Sequence, residues 1–285
     1  MAKESVVSNE PPRAELPDRI SDAQIAALLS ALSPLRRAIR PHFRGIDTLP
    51  TERPLLFVGN HTLFGVLDFG FLFGEIFERR GVLIRGLGDH LHFKVPGWGK
   101  LVGKIGGVDG TPENCAELFR RKEWVLVFPG GGREVAKRKG ELYKLKWGER
   151  TGFARLAIEH GVTIIPFASV GVEDAFDIVY DGDEILDRTP LGKVFDALSL
   201  RREVMWPVVK GLGPTPLPRP ERLYFDVRPP IETRGFSGDA SDENARLVRD
   251  ATKASIEAGI EELRAFQEQD PDRSLRTRLG RAFSR

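Results

Sequence analysis

The chain has 285 residues, enough for one large domain or for a domain with a helical appendage. Its hydrophobic share of 41% and charged share of 29% are ordinary for a globular protein, and a net charge of +2, from 43 basic and 41 acidic side chains, is too balanced for a nucleic-acid binder. The single cysteine, Cys115, excludes an internal disulfide framework and points to a reducing, cytoplasmic setting.

Residues 1–18 are polar and contain proline but lack the apolar core of a signal peptide, and they read as a disordered tail. Residues 19–44 read as an N-terminal amphipathic helix. Ile25, Leu28, Leu29, Leu32 and Leu35 recur at helical spacing between Ser21 and about Ile39, with Ser21 in the N-cap region and Arg36, Arg37 and Arg40 at the far end. Pro54–Gly59 is a short apolar run that reads as a buried strand entering a loop at Asn60. A helix over 69–80 and a strand over 82–87 follow. Thr111 and Pro112 open a helix to residue 122, and Trp124–Phe128 is a strand stopped by Pro129 and three glycines. A helix over 151–160 is closed by Gly161, and 162–168 is a strand with Pro166 near its end, where a ladder donor is missing. Residues 183–220 mix apolar side chains with prolines without a period and read as an irregular insertion. A strand over 223–227 precedes a charged amphipathic helix over 242–267, part of a C-terminal helical tail, 233–285. Strands alternating with helices give the fold expectation: α/β, a single domain over 45–232 with a mostly parallel central sheet flanked by helices. Every long apolar stretch is interrupted by charge or glycine well short of a spanning helix, so membrane contact is expected to be peripheral.

Two places carry candidate chemistry. Asn60-His61 stands directly after a strand, with Asp68 further on. A histidine oriented by a carboxylate serves as a general base, although a loop histidine and a helix-capping aspartate would read the same way. Phe128-Pro129-Gly130-Gly131-Gly132-Arg133-Glu134 is a strand end running into glycines and an arginine. Glycines let backbone N–H groups approach an anion, and Arg133 can grip a phosphate or carboxylate; a plain glycine turn is the other reading. The run lacks the Gly-Lys-Ser/Thr ending of a P-loop, and no Gly-x-Ser-x-Gly elbow marks a hydrolase. His90 and His92 read as ordinary loop residues, and Cys115 as a small side chain packed in a helix.

Taken in order, Asn60-His61…Asp68, Lys104-Ile105-Gly106-Gly107-Val108-Asp109, the Phe128–Glu134 block and Val162–Ala168 resemble the glycerolipid acyltransferase superfamily. The block with Lys139-Gly140-Glu141-Leu142-Tyr143-Lys144-Leu145 after it is most similar to the diacylglycerol acyltransferase and phytyl ester synthase branch. Six residues separate His61 from Asp68, more than the family pattern has, and Gly130 stands where lysophosphatidate-type enzymes carry Glu. The resemblance implies transfer of a fatty acyl group from a thioester, acyl-CoA or acyl carrier protein, to a lipid alcohol. In it His61 is the base, Asp68 its orienting partner, and Asn60, Gly130, Gly131, Gly132 and Arg133 bind substrate. It implies no cofactor and no metal, with a position on the cytoplasmic face of a membrane. A phosphatidate-forming lysophospholipid acyltransferase is the alternative within the family, and a lipid-binding protein without chemistry the alternative outside it. Residues 21–39 and 195–207 are the candidate lipid contacts, against simple packing on the sheet.

Overall fold

The structure, a computed structural model, describes residues 16–65, 67–95 and 97–283, and of residues 67–69, 279 and 281–283 the backbone alone. Residues 1–15, most of the stretch read as a tail, lie outside the described residues.

The expected N-terminal helix is two helices, α1 (Asp22–Ala31) and α2 (Ser33–Ile39). Ser21 caps α1 through a capping box with Gln24, and the break falls just before Pro34, whose missing N–H and ring do not fit a continuous helix. The chain continues through β1 (His42–Arg44), β2 (Leu55–Gly59), α3 (Leu67–Arg80), β3 (Ile84–Gly88), α4 (His90–Lys94), α5 (Trp98–Lys104), β4 (Gly107–Asp109), α6 (Pro112–Arg120) and β5 (Trp124–Val127). It goes on through α7 (Gly132–Val135), α8 (Gly152–Glu159), β6 (Thr163–Val170), β7 (Asp177–Tyr180), α9 (Gly182–Arg188), α10 (Leu191–Ala197), β8 (Val208–Lys210), β9 (Tyr224–Val227), α11 (Asp242–Gln269) and α12 (Leu275–Phe283).

Seven strands form one sheet in the order β1-β9-β6-β2-β5-β3-β4. Every pairing is parallel except β6 with β9, so the sheet is mostly parallel. The central strands are continuous apolar runs because both faces are covered. Side chains alternate: Leu56 and Val58 of β2 face the layer holding α6, α8 and α11, whereas Leu55 and Phe57 face Phe71, Leu72 and Ile76 of α3. Pro166 lies where the antiparallel partner departs, between Arg228, whose N–H reaches the Pro166 carbonyl, and Ile231, which pairs with Ile164.

Residues 183–220 contain more order than their composition indicates. They include most of α9, all of α10, and β8, which pairs with β7 as a separate two-stranded sheet. Residues 233–285 contribute α11, whose Val248, Ile256, Ile260 and Leu263 enter the core. α12 is tied to α2 by Arg278, which donates to the Ala38 carbonyl at 2.9 Å.

Candidate active site

β2 ends at Gly59 and turns at once into Asn60 and His61. Since β2 lies between β5 and β6, this turn emerges at the middle of the sheet's C-terminal edge, where parallel α/β sheets hold their ligands. Asn60 is fully buried. Its Nδ2 donates to the Ser169 carbonyl at 2.9 Å and its Oδ1 accepts from the Ser169 N–H at 2.8 Å. The sequence reading puts Asn60 among the binding residues. In the fold both ends of its amide are bonded to β6, which fixes the turn that carries His61.

The His61 backbone is held from two directions. Its N–H donates to Glu134 Oε2 at 3.0 Å, and its carbonyl accepts from Lys137 Nζ at 3.0 Å. Both side chains are completely buried. Lys137 also pairs with the equally buried Glu173, whose other carboxylate oxygen accepts from the Tyr143 N–H. Glu134 Oε1 accepts from the Lys146 N–H at 2.8 Å. Burial pushes the Glu134 and Glu173 carboxyls above their ordinary values, and the Lys137 ammonium opposes it in both.

The His61 ring lies flat on Phe128, with centroids 3.8 Å apart and planes 4° apart. Gly65 lies against one edge of the ring. A Cβ there would come within 2.2 Å of His61 Cε1 and 2.7 Å of Nε2, and φ is +63°. Glycine therefore keeps a side chain off this edge of the ring and also suits the backbone. Asp68 stands in the first turn of α3, on the segment leaving this loop, and its side chain lies outside the described residues.

The glycine block does several different jobs. A Cβ on Gly130 would fall 2.3 Å from Glu134 Cδ, so the volume of a side chain at 130 is occupied by the Glu134 carboxylate. Gly131, at φ +53°, donates its N–H to the Phe128 carbonyl at 3.0 Å, so that donor belongs to the turn and not to an anion. Gly132 allows Val204 of the insertion to approach to 3.0 Å of where its Cβ would lie. Arg150 Nη1 braces the turn by donating to the carbonyls of Pro129 and Gly130 at 2.8 and 2.9 Å. Arg133 is exposed, with its Nε 3.2 Å from Glu203.

An apolar cavity of about 320 Å³ lies between α1, α2 and α3, lined among others by Leu28, Leu29, Phe73, Gly74 and Phe77. Phe73 meets Phe167 edge-on at 5.7 Å, Phe167 meets Phe128 at 6.0 Å, and Phe128 underlies His61. A row of touching aromatic rings thus joins the cavity wall to His61. Away from this centre, His90 Nδ1 is 2.6 Å from Asp109, and burial pushes the Cys115 thiol up to about 12, which suits a packing residue rather than a nucleophile.

Residues 40–170 match the Acyltransferase family. The match spans both motif regions, the Asn60-His61 turn and the Phe128–Glu134 block. It is 33% identical over 258 residues to phytyl ester synthase 2 of Arabidopsis thaliana, covering 83% of this chain and 36% of the relative. Over 132 residues it is 33% identical to a human DGAT1/2-independent enzyme synthesizing storage lipids, covering 46% of this chain and 40% of that protein. The crystal structure of the 1-acyl-sn-glycerophosphate acyltransferase PlsC from Thermotoga maritima aligns with a TM-score of 0.46 and 17% identity, over 87% of this chain and 84% of that one. The chain spans about a third of the length of the Arabidopsis relative.

Within this candidate site, the sequence singles out His61 and the glycine block but gives no role to Glu134, Lys137, Glu173, Gly65 or Phe128. The available signal was a run of charges, Arg133 to Lys146, following directly on an apolar strand. Nothing in the sequence reports that Lys137 and Glu173 meet.

Proposed function

We propose that this acyltransferase moves a fatty acyl group from a thioester donor, acyl-CoA or acyl carrier protein, to the hydroxyl of a neutral lipid alcohol, with His61 as general base. The observation that carries the reading is the convergence of the two motif regions on one residue: Glu134 and Lys137, at and just beyond the end of the glycine block, hold the N–H and the carbonyl of His61. Such an anchored imidazole, stacked on Phe128 with Gly65 against its edge, is preorganised for proton transfer.

In the proposed reaction His61 takes the acceptor's hydroxyl proton as its oxygen attacks the thioester carbonyl. The tetrahedral intermediate then expels the thiolate, to which His61 returns the proton, leaving an ester and a free thiol. Asp68, on the adjoining turn of α3, would orient the imidazole and stabilise its charged form. The exposed Arg133 would meet a polar or phosphorylated part of the donor. The apolar cavity beside α3 would take the acyl chain, reached along the aromatic row.

A neutral acceptor is supported by Gly130, whose side-chain space Glu134 fills, and by the names of the relatives, a phytyl ester synthase and a storage-lipid enzyme. Lysophosphatidate is the second reading, since the exposed Arg133 would also suit its phosphate.

The test supplies acyl-CoA and acyl carrier protein donors in parallel to diacylglycerol, a long-chain alcohol and lysophosphatidate, with wild-type and His61→Ala proteins. Ester formation on a neutral alcohol, reduced about 10²–10⁴-fold in His61→Ala at unchanged melting temperature, is expected. Turnover indifferent to His61, or no product from any pair, would overturn the reading.

A further inference from the structure

The α4–α5 hairpin is amphipathic in the opposite sense to the usual surface helix. In a globular protein the small and large apolar side chains of a surface helix turn inward and the charges outward. On α5 the inward contacts are made by Gly99, Val102 and Gly103. A Cβ on Gly99 would lie 2.9 Å from Phe93 Cα, one on Gly103 would lie 3.0 Å from Pro17, and Val102 Cγ1 comes within 2.4 Å of where a Cβ on Gly107 would be. The large side chains face out. Trp98, Leu101 and Ile105 recur at helical spacing along one stripe, and Leu91 on α4 and Val95 just after it are exposed as well. Leu91, Val95, Trp98 and Leu101 are 51, 52, 47 and 51% exposed.

The charge of the hairpin is one-sided. Residues 90–108 contain Lys94, Lys100 and Lys104 and no Asp or Glu. The three lysines are exposed beside the apolar stripe. Trp98 completes the pattern: its Nε1 donates to His92 Nδ1 at 3.1 Å, so the indole's polar edge is satisfied internally while its apolar face is offered outward.

The location is equally telling. β3 runs parallel to β5 and lies two places from β2, so α4, which starts one residue beyond the end of β3, rises from the same sheet edge as His61 at a lateral distance of about 10 Å. Arg201 of the insertion reaches the α4 cap residue Asp89 at 3.2 Å, bringing the exposed Leu198 and Leu200 alongside. Trp206, also exposed, packs edge-on against Phe64 in the His61 loop at 5.3 Å.

We propose that the α4–α5 hairpin is the element by which this acyltransferase docks on an anionic lipid bilayer, inserting Leu91, Val95, Trp98 and Leu101 at the interface with Lys94, Lys100 and Lys104 on the headgroups. Apolar anchors between cations, with a tryptophan at the boundary, are what an anionic membrane surface recognises. The docked hairpin presents the mouth of the His61 site to the plane in which lipid acceptors lie. The inference rests on the lipid-acceptor reading above, but vesicle binding is read without turnover, so either idea can fail alone.

The experiment is flotation of the full chain with vesicles of phosphatidylcholine, and with vesicles of phosphatidylcholine mixed with phosphatidylglycerol. Wild type, Trp98→Ser/Leu101→Ser and Lys94→Glu/Lys100→Glu/Lys104→Glu are compared. Wild type should float with the mixed vesicles and be released by rising salt. The charge-reversed protein should lose affinity by about a hundredfold or more. The Ser variant should lose binding at low salt as well. All three proteins should melt alike and should acylate a detergent-dispersed acceptor at similar rates, since none of the altered side chains touches the His61 site. Flotation equal for all three, or none by wild type, would overturn the proposal. So would binding of these lysines to an acidic acyl carrier protein while vesicles are ignored.

Discussion

The proposed chemistry turns on how His61 is held, and the holding groups are charges placed where charges are costly. Lys137 lies fully buried between Glu134 and Glu173, and removing one member of such a set strands the others. Lys137→Met is therefore expected to destabilise the fold by about 3–5 kcal/mol, seen as a lower urea midpoint, and to lower turnover by freeing the His61 carbonyl. Adding Glu173→Gln should recover part of the stability, because it removes the carboxylate left without its cation. No recovery in the double variant would mean that the pair is not coupled. Gly65→Ala is expected to act differently. Its methyl would fall 2.2 Å from His61 Cε1 and 2.7 Å from Nε2, so acyl transfer should drop sharply, while crowding and the positive φ together cost about 1–3 kcal/mol. His61 and Arg133 could be read from the sequence because they stand next to turn-forming neighbours after apolar strands. Lys137 could not, since in Ala-Lys-Arg-Lys-Gly it looks like one cation of a solvated run, and Glu173 is distant in the chain.

At the scale of elements, the insertion is fastened to the segment just after the glycine block by a forked ion pair. Arg138 Nε and Nη2 reach the two carboxylate oxygens of Asp183 at 2.6 and 2.7 Å. These hydrogen bonds hold the Asp183 carboxyl below the ordinary value for aspartate. A depressed carboxylate contributes its full stabilisation above the unfolded value, about 3.9, and loses it as the pH falls through the lower folded value. Protection of amide hydrogens across 182–207, relative to their intrinsic exchange at the same pH, should thus fall below about pH 4, ahead of the core. Asp183→Asn should show the same loss of protection at neutral pH, and a variant that leaves the segment as protected as wild type would refute the tether. Elements read well from sequence where burial on two faces produced uninterrupted apolar runs, as in β2, β5 and β6. The readings that needed revision have local causes. Pro34 divides the N-terminal helix, and β1 and β4 are three-residue strands too short to show a period. The insertion was irregular to the eye because α9, α10 and β8 are short and separated by prolines.

At the scale of the whole molecule, the question is whether the C-terminal fifth is an appendage or part of the domain. A charged helix after the last strand reads as a tail because its polar face dominates the composition. In the fold, however, Val248, Ile256, Ile260 and Leu263 of α11 lie against β6 and α8. At roughly 1.5–3 kcal/mol for each buried aliphatic side chain, the four contribute about 6–12 kcal/mol. That is comparable with the entire stability of an ordinary domain, about 5–15 kcal/mol. A chain ending before Asp242 should consequently fail to give a cooperative thermal transition. A finer test uses Gly259, where α11 crosses β6. Helix propensity alone would make Gly259→Ala favourable by about 1 kcal/mol. But a Cβ at this position would approach Ala168 Cβ to 2.9 Å, and neither group can rotate away. Larger side chains must push α11 off the sheet, so Gly259→Leu is expected to cost about 1–3 kcal/mol or more in urea unfolding, while Leu247→Ala on the exposed face of the same helix stays near neutral. If instead the truncated chain melts sharply and still transfers acyl groups, α11 is an appendage and the sheet closes its core without it.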